Sequence, residues 1–212
     1  NIRQGKKPSW NYIDGCMMTS LIELYKATND EKYLDFVKTY VDYYVREDGT
    51  ILGYEMDKYS TDDVSESRIL FDLYKFTGEE KYNKAIEMCY QQILTHPRTK
   101  EGNFWHKKIY PNQVWLDGLY MMQVFYTRYE TERNKFKNYS DIVGQFKNVY
   151  DIMRDKETGL YYHAYDSSKS MFWADKETGL SQNYWLRSIG WYTVALIDVY
   201  SYMDEQMYDE YH

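Results

Sequence analysis

The sequence predicts an all-α protein built from stacked helical hairpins, and three observations carry that expectation. Apolar residues recur at helical spacing along most of the chain, one hairpin motif occurs twice, and turn residues separate the helical stretches. Tyr33, Phe36, Val37, Tyr40 and Tyr44 stand at i, i+3, i+4, i+7 and i+11, one face of an amphipathic helix. Tyr82, Ala85, Ile86, Cys89 and Ile93 repeat the pattern, as do Phe146, Val149, Tyr150 and Met153. Asp14 to Lys26, Asp62 to Lys75 and Val114 to Tyr129 are apolar on more of their circumference and read as inner helices. About seven helices are expected in all.

The repeated hairpin is LYKATNDEKYLDFV, Leu24 to Val37, which aligns with LYKFTGEEKYNKAI, Leu73 to Ile86. Each copy holds a helix end, a short turn and the next helix start. Gly78 suits the left-handed position that closes a helix, and the acidic residues after it favour the following N-terminus. Such a repeat builds either an open solenoid or a closed toroid. DKETGL also occurs twice, at Asp155 to Leu160 and Asp175 to Leu180. Its Thr-Gly pair reads as a turn, since the ligand spacing of a calcium loop is absent. LYYHAYD, after the first copy, alternates like a short strand.

With 212 residues, 43% of them hydrophobic, residues 1–212 suffice for a single domain with a sizeable core. The 26 tyrosines and 6 tryptophans suit stacking on ring-shaped ligands, although core packing accounts equally well for any single ring. A net charge of −7 with no basic stripe argues against a nucleic-acid partner. An anionic substrate would need local positive charge. No segment has the length and apolarity of a membrane span. Cys16 and Cys89 lack metal-ligand spacing and read as free thiols of a reducing, cytoplasmic compartment. The chain begins at Asn1 rather than a methionine, so removal of an N-terminal segment, with any targeting signal, is expected.

The run from Glu101 to Met122, EGNFWHKKIYPNQVWLDGLYMM, is too polar for core and too aromatic for a solvent loop. Its carboxylate, Asp117, lies close after Trp115 and directly before Gly118. A carboxylate removed from water either shifts its pKa upward or finds a partner, and an indole-walled carboxyl group suits a general acid.

Several motifs together resemble the unsaturated rhamnogalacturonyl hydrolases of glycoside hydrolase family 105 and, more distantly, the unsaturated glucuronyl hydrolases. They are the TGEEKY turn, HPRTKEGNFWHK (His96 to Lys107), YPNQVWLDGLYM (Tyr110 to Met121), TGLYYHAYD (Thr158 to Asp166) and WADKETGLSQNYWLRSIGWY (Trp173 to Tyr192). The resemblance implies a helical-hairpin toroid of the (α/α)6 barrel type, of which this chain would be the N-terminal portion and therefore incomplete. It also implies the reaction. Carbon 4 of a 4,5-unsaturated uronic acid, the sugar left by a polysaccharide lyase, is protonated and water adds at carbon 5. The hemiketal then opens to release a keto acid and the shortened sugar. One group that gives and takes a proton suffices, with no cofactor and no metal.

The resemblance assigns roles residue by residue. Asp117 matches the general acid/base and Asp62 the second acidic residue, with neighbouring Asp63 as the alternative; helix capping is the plainer reading of Asp62. His106 and His163 match positions lining the sugar site, and Arg187 would bind the substrate carboxylate. Trp115 and Trp191 would stack on sugar rings, with core packing close behind for Trp191. Tyr110 and Trp185 are weaker candidates. Ser67 stands before Arg68 where the family usually carries a glycine. The expected substrate is a lyase-generated pectin oligosaccharide. The alternatives are an unsaturated glucuronyl substrate, an inactive carbohydrate-binding fragment, or a helical-repeat protein binder.

Overall fold

The structure, a computed structural model, describes residues 9–211. They fall into two compact units. One holds the chain up to Met56 together with Asp62–Leu94; the other holds Asp57–Thr61 and the chain from Thr95 onward. Among the described residues, seven helices have nine residues or more. Among the described residues, no helix is long and apolar enough to cross a membrane.

The first unit begins with α1 (Tyr12–Thr28) and α2 (Glu31–Tyr44), followed by α3 (Thr61–Glu66), α4 (Ile69–Thr77) and α5 (Glu80–Thr95). The aligned hairpin turns share their hydrogen bonds as well as their letters. Asn29 (φ 53°) and Gly78 (φ 69°) both adopt the left-handed conformation, and each amide donates back to Tyr25 or Tyr74. Thr28 and Thr77 donate to the carbonyls of Leu24 and Leu73, both at 2.7 Å. Asparagine tolerates this backbone region and glycine enters it without strain, so both turns stop their helices alike.

The α5 stripe is buried as expected, whereas the α2 stripe is rotated. Val37, Val41 and Tyr44 face inward while Phe36 is 57% exposed. In the second unit, Tyr150 likewise departs from the buried set of Phe146, Val149 and Met153. The stretch Asp62 to Lys75 is not one helix, because the chain bends at Ser67 and Arg68 between α3 and α4. The Ser67 hydroxyl works there: it accepts from Trp10 Nε1 at 3.2 Å and from Cys89 Sγ at 3.1 Å, and donates to the Asp63 carbonyl. A glycine would leave those two buried donors without this oxygen. Neither Cys16 nor Cys89 is in a disulfide; of the two, expected to be buried, Cys89 is buried and Cys16 only half-buried.

In the second unit β1 (Gln113–Trp115) pairs antiparallel with β2 (Ala164–Asp166), with Trp115 opposite Ala164. The strand expected in LYYHAYD shortens to β2, while Tyr161 and Tyr162 make single bridges to Arg154 and Tyr184. The helix expected over Val114 to Tyr129 is composite. After β1 come α6 (Leu116–Gly118), a π-helical turn (Leu119–Gln123) and α7 (Val124–Arg133). α8 (Tyr139–Met153), α9 (Leu186–Tyr202) and the short α10 (Tyr208–Tyr211) follow, and α9 packs along α6, the π turn and α7. A π turn inside a helix rotates everything beyond it, a device often found beside functional sites.

Candidate active site

The site in the second unit is built where β1 runs into α6. Strand geometry carries the chain to Trp115, and the helical turn that follows carries Asp117 inward, where it is 7% exposed. Ser188, wholly buried in the first turn of α9, donates its hydroxyl to Asp117 Oδ2 at 2.5 Å. The buried carboxyl group thus has a partner, and it is a residue the sequence did not point to.

Beside Asp117, His106 forms a layer of parallel rings with Trp115 and Tyr110. The His106 and Trp115 centroids lie 4.6 Å apart at 8°, and those of Tyr110 and Trp115 5.0 Å apart at 19°. His106 is held by its backbone amide, which donates to the Gln113 carbonyl, and by contact of Nδ1 with the Thr61 hydroxyl at 3.1 Å. Burial pushes its pKa down to about 3; Lys107 adds to this and the negative charge of Asp117 opposes it. At neutral pH the ring is therefore an uncharged imidazole. Gly118 permits the close approach, for a Cβ there would stand 3.1 Å from His106 Nδ1.

His163 belongs to the same neighbourhood, since its carbonyl accepts the amide of Leu116, the residue before Asp117. Its Nδ1 lies 3.1 Å from the Asn183 carbonyl and 3.0 Å from the Ser181 hydroxyl, contacts that fix the ring's orientation. Trp185 meets the His163 ring edge-on at 6.1 Å. Arg187 lies with its guanidinium 3.9 Å over the Trp185 ring and is exposed. Among the described residues it forms no ion pair, so its fork of donors is open to a carboxylate. Trp191, one turn further along α9, is half-buried and packs 4.5 Å from Tyr120.

Asp117, His106, Trp115, His163, Arg187 and Trp191 thus all lie in the second unit. Asp62 lies in the first, half-buried in the first turn of α3, as does Asp63. That position also suits an acidic residue at a helix N-terminus. Among the described residues, no group of three His, Cys, Asp or Glu side chains could hold a metal ion.

The whole pattern has relatives. Residues 2–212 match the family model described as Glycosyl Hydrolase Family 88. The chain belongs to that family. This family 88 chain is 30% identical, over 194 residues, to the unsaturated rhamnogalacturonyl hydrolase YesR of Bacillus subtilis (strain 168), covering 89% of this chain and 52% of YesR. A glycoside hydrolase of family 105 from C. acetobutylicum ATCC 824 superposes with a TM-score of 0.93 at 43% identity, covering 98% of this chain and 58% of that one. A family 88 glycosyl hydrolase from Bacteroides vulgatus shares the fold at 21% identity and a TM-score of 0.65, over 96% of this chain and 58% of its own. The (α/α)6 helical-hairpin class and the resemblance to family 105 both hold. The chain spans about half the length of YesR.

Proposed function

We propose that this protein is an unsaturated uronyl hydrolase that removes a 4,5-unsaturated uronic acid from lyase-generated pectin oligosaccharides, with rhamnogalacturonyl fragments as the substrate class. The observation that carries the reading is the buried Asp117–Ser188 pair beside the uncharged His106 and the unpaired guanidinium of Arg187. YesR, similar over most of this chain, is an unsaturated rhamnogalacturonyl hydrolase by name, which supports the same substrate class.

In this reading Arg187 takes the uronate carboxylate through two parallel hydrogen bonds, which fixes the sugar ring. Asp117 delivers a proton to carbon 4. The same group, now a carboxylate, accepts a proton from the water that adds at carbon 5, so no net proton is consumed. The hemiketal opens and the shortened sugar leaves. His106 and His163 bond sugar hydroxyls, and Trp115 and Trp191 flank the ring.

The test is loss of the ultraviolet absorbance of the conjugated double bond on incubation with unsaturated galacturonyl-rhamnose. Turnover that disappears in Asp117→Asn, with disaccharide binding retained, supports the reading. Undiminished turnover in that variant removes Asp117 from the chemistry. Turnover of unsaturated glucuronyl disaccharides alone moves the substrate class to the alternative.

A further inference from the structure

The two DKETGL turns share their internal hydrogen bonds but differ in what their aspartate carboxylates accept from outside the turn. In each, the aspartate amide donates to the leucine carbonyl, at 2.8 Å for Asp155 and 2.9 Å for Asp175. The glycine amide returns to the aspartate carbonyl and the threonine hydroxyl donates to the carboxylate. Among the described residues, Asp175 accepts side-chain and backbone hydrogens only from its own turn. Asp155 Oδ2 accepts one more, from the hydroxyl of Tyr184 at 2.6 Å, 29 residues away.

That extra bond pins a ring on the surface. Tyr184 is 36% exposed and its ring lies 4.8 Å from that of Tyr162, tilted by 41°. A backbone bridge joins the same two residues. Tyr162 is half-buried behind Tyr184, and core packing does not account for the face that Tyr184 leaves exposed. The bond to Asp155 removes the ring's freedom before a ligand arrives, which lowers the entropic cost of stacking. The ring also has a telling address. Trp185, 40% exposed and carrying Arg187, is the next residue, and Ser188, bonded to Asp117, is four residues on, at most roughly 14 Å along an extended chain.

We propose that Tyr184, backed by Tyr162 and anchored by Asp155, is the platform on which the sugar adjoining the unsaturated uronate stacks. This rests on the hydrolase reading above: with the uronate held at Arg187, the next sugar ring extends over Trp185 toward Tyr184. Because the Tyr184 hydroxyl is engaged by Asp155, the platform offers a ring face rather than a hydrogen-bond donor. It therefore suits a sugar with an apolar face, and a 6-deoxy sugar, with a methyl group in place of a hydroxymethyl group, fits better than its hydroxylated counterpart.

The experiment compares two probes, unsaturated galacturonyl-rhamnose and the methyl glycoside of the unsaturated galacturonate, which lacks the second ring. Tyr184→Ala is expected to lower the ratio of their kcat/KM values about tenfold. Tyr184→Phe and Asp155→Ala, which keep the ring and free it, should each lower the ratio by a smaller factor. Equal losses on both probes, or an unchanged ratio, overturn the platform. Titration calorimetry separates this from the reaction itself. If neither probe is turned over but the disaccharide binds more tightly and Tyr184→Ala erases the difference, the platform stands and the hydrolase reading falls. Equal binding of both probes overturns the platform whatever the activity.

Discussion

Ser188 and Asp117, 71 residues apart in the sequence, are joined by a buried hydrogen bond of 2.5 Å. The bond ties the first turn of α9 to α6 and occupies one carboxyl oxygen; in the proposed reaction Oδ1 is then the oxygen that moves the proton. Hydrogen bonds to charged groups contribute about 1.5–3 kcal/mol, and each 1.36 kcal/mol is tenfold in rate. Ser188→Ala is therefore expected to lower kcat by roughly 10- to 100-fold with little change in KM. Ser188→Thr, which keeps the hydroxyl, should recover part of the loss. A parallel rise in KM, with no recovery in the threonine variant, would mark Ser188 as merely structural.

Among the described residues, Arg187 is held by stacking on Trp185 rather than by an ion pair, so its charge is open to a ligand. Replacing it with alanine should raise KM for the unsaturated uronide by roughly 10- to 100-fold, the value of a charge-assisted pair. An analogue with the carboxylate converted to an amide should lose far less between wild type and variant. Equal losses would assign Arg187 to the packing of Trp185.

Two buried histidines make stability depend on pH with a definite sign. Burial pushes His106 down to about 3 and His96 down to about 4. Each folded value lies below that of a free imidazole, near 6.5. Between these limits the unfolded chain binds protons at these two rings that the folded chain refuses, so the stability the two histidines contribute is complete above pH about 6.5 and falls as the pH drops toward about 4. The melting temperature should decline across that window, and nuclear magnetic resonance should show neither ring titrating near 6.5. A ring that titrates normally would place that histidine in water.

Gly118 has an ordinary helical backbone (φ −62°), so alanine would cost nothing in conformation there. The added methyl group would nevertheless meet His106 Nδ1 at 3.1 Å, and that ring is already fixed between Thr61 and Trp115. Gly118→Ala is expected to destabilise by about 1–3 kcal/mol through overpacking. Thermal or denaturant unfolding measures this directly, and a stability gain would show that the His106 layer yields.

The sequence disclosed whatever depends on local spacing. The paired hairpins were legible because Thr28 and Thr77, and Asn29 and Gly78, perform the same local task, and the α5 stripe because its face is uniformly apolar. Phe36 misled because spacing names a helix face without saying which edge of it is covered. The bend at Ser67 and the π turn at Leu119–Gln123 were invisible because apolar residues continue through both. Within the site, Asp117, His106 and Trp115 stood out as rare residue types close together in one run. Ser188 did not, since a serine at the start of a helix is ordinary and only folding brings it to Asp117. The roles of Asp62 and Trp191 rest on motif matching alone.

The segment Asp57–Thr61 groups with the second unit, although the chain on either side of it groups with the first. Its hydrogen bonds run to the aromatic run: Lys58 accepts the amide of Lys108, Thr61 donates its amide to the His106 carbonyl, and its hydroxyl meets the His106 ring. A gene cut near Leu94 would therefore deliver a C-terminal product stripped of the pentapeptide that clamps its own histidine. Shuffling, circular permutation or split-protein reconstitution of this scaffold would have to carry that short strap along with the aromatic run, because what is inherited together here is not contiguous in the reading frame.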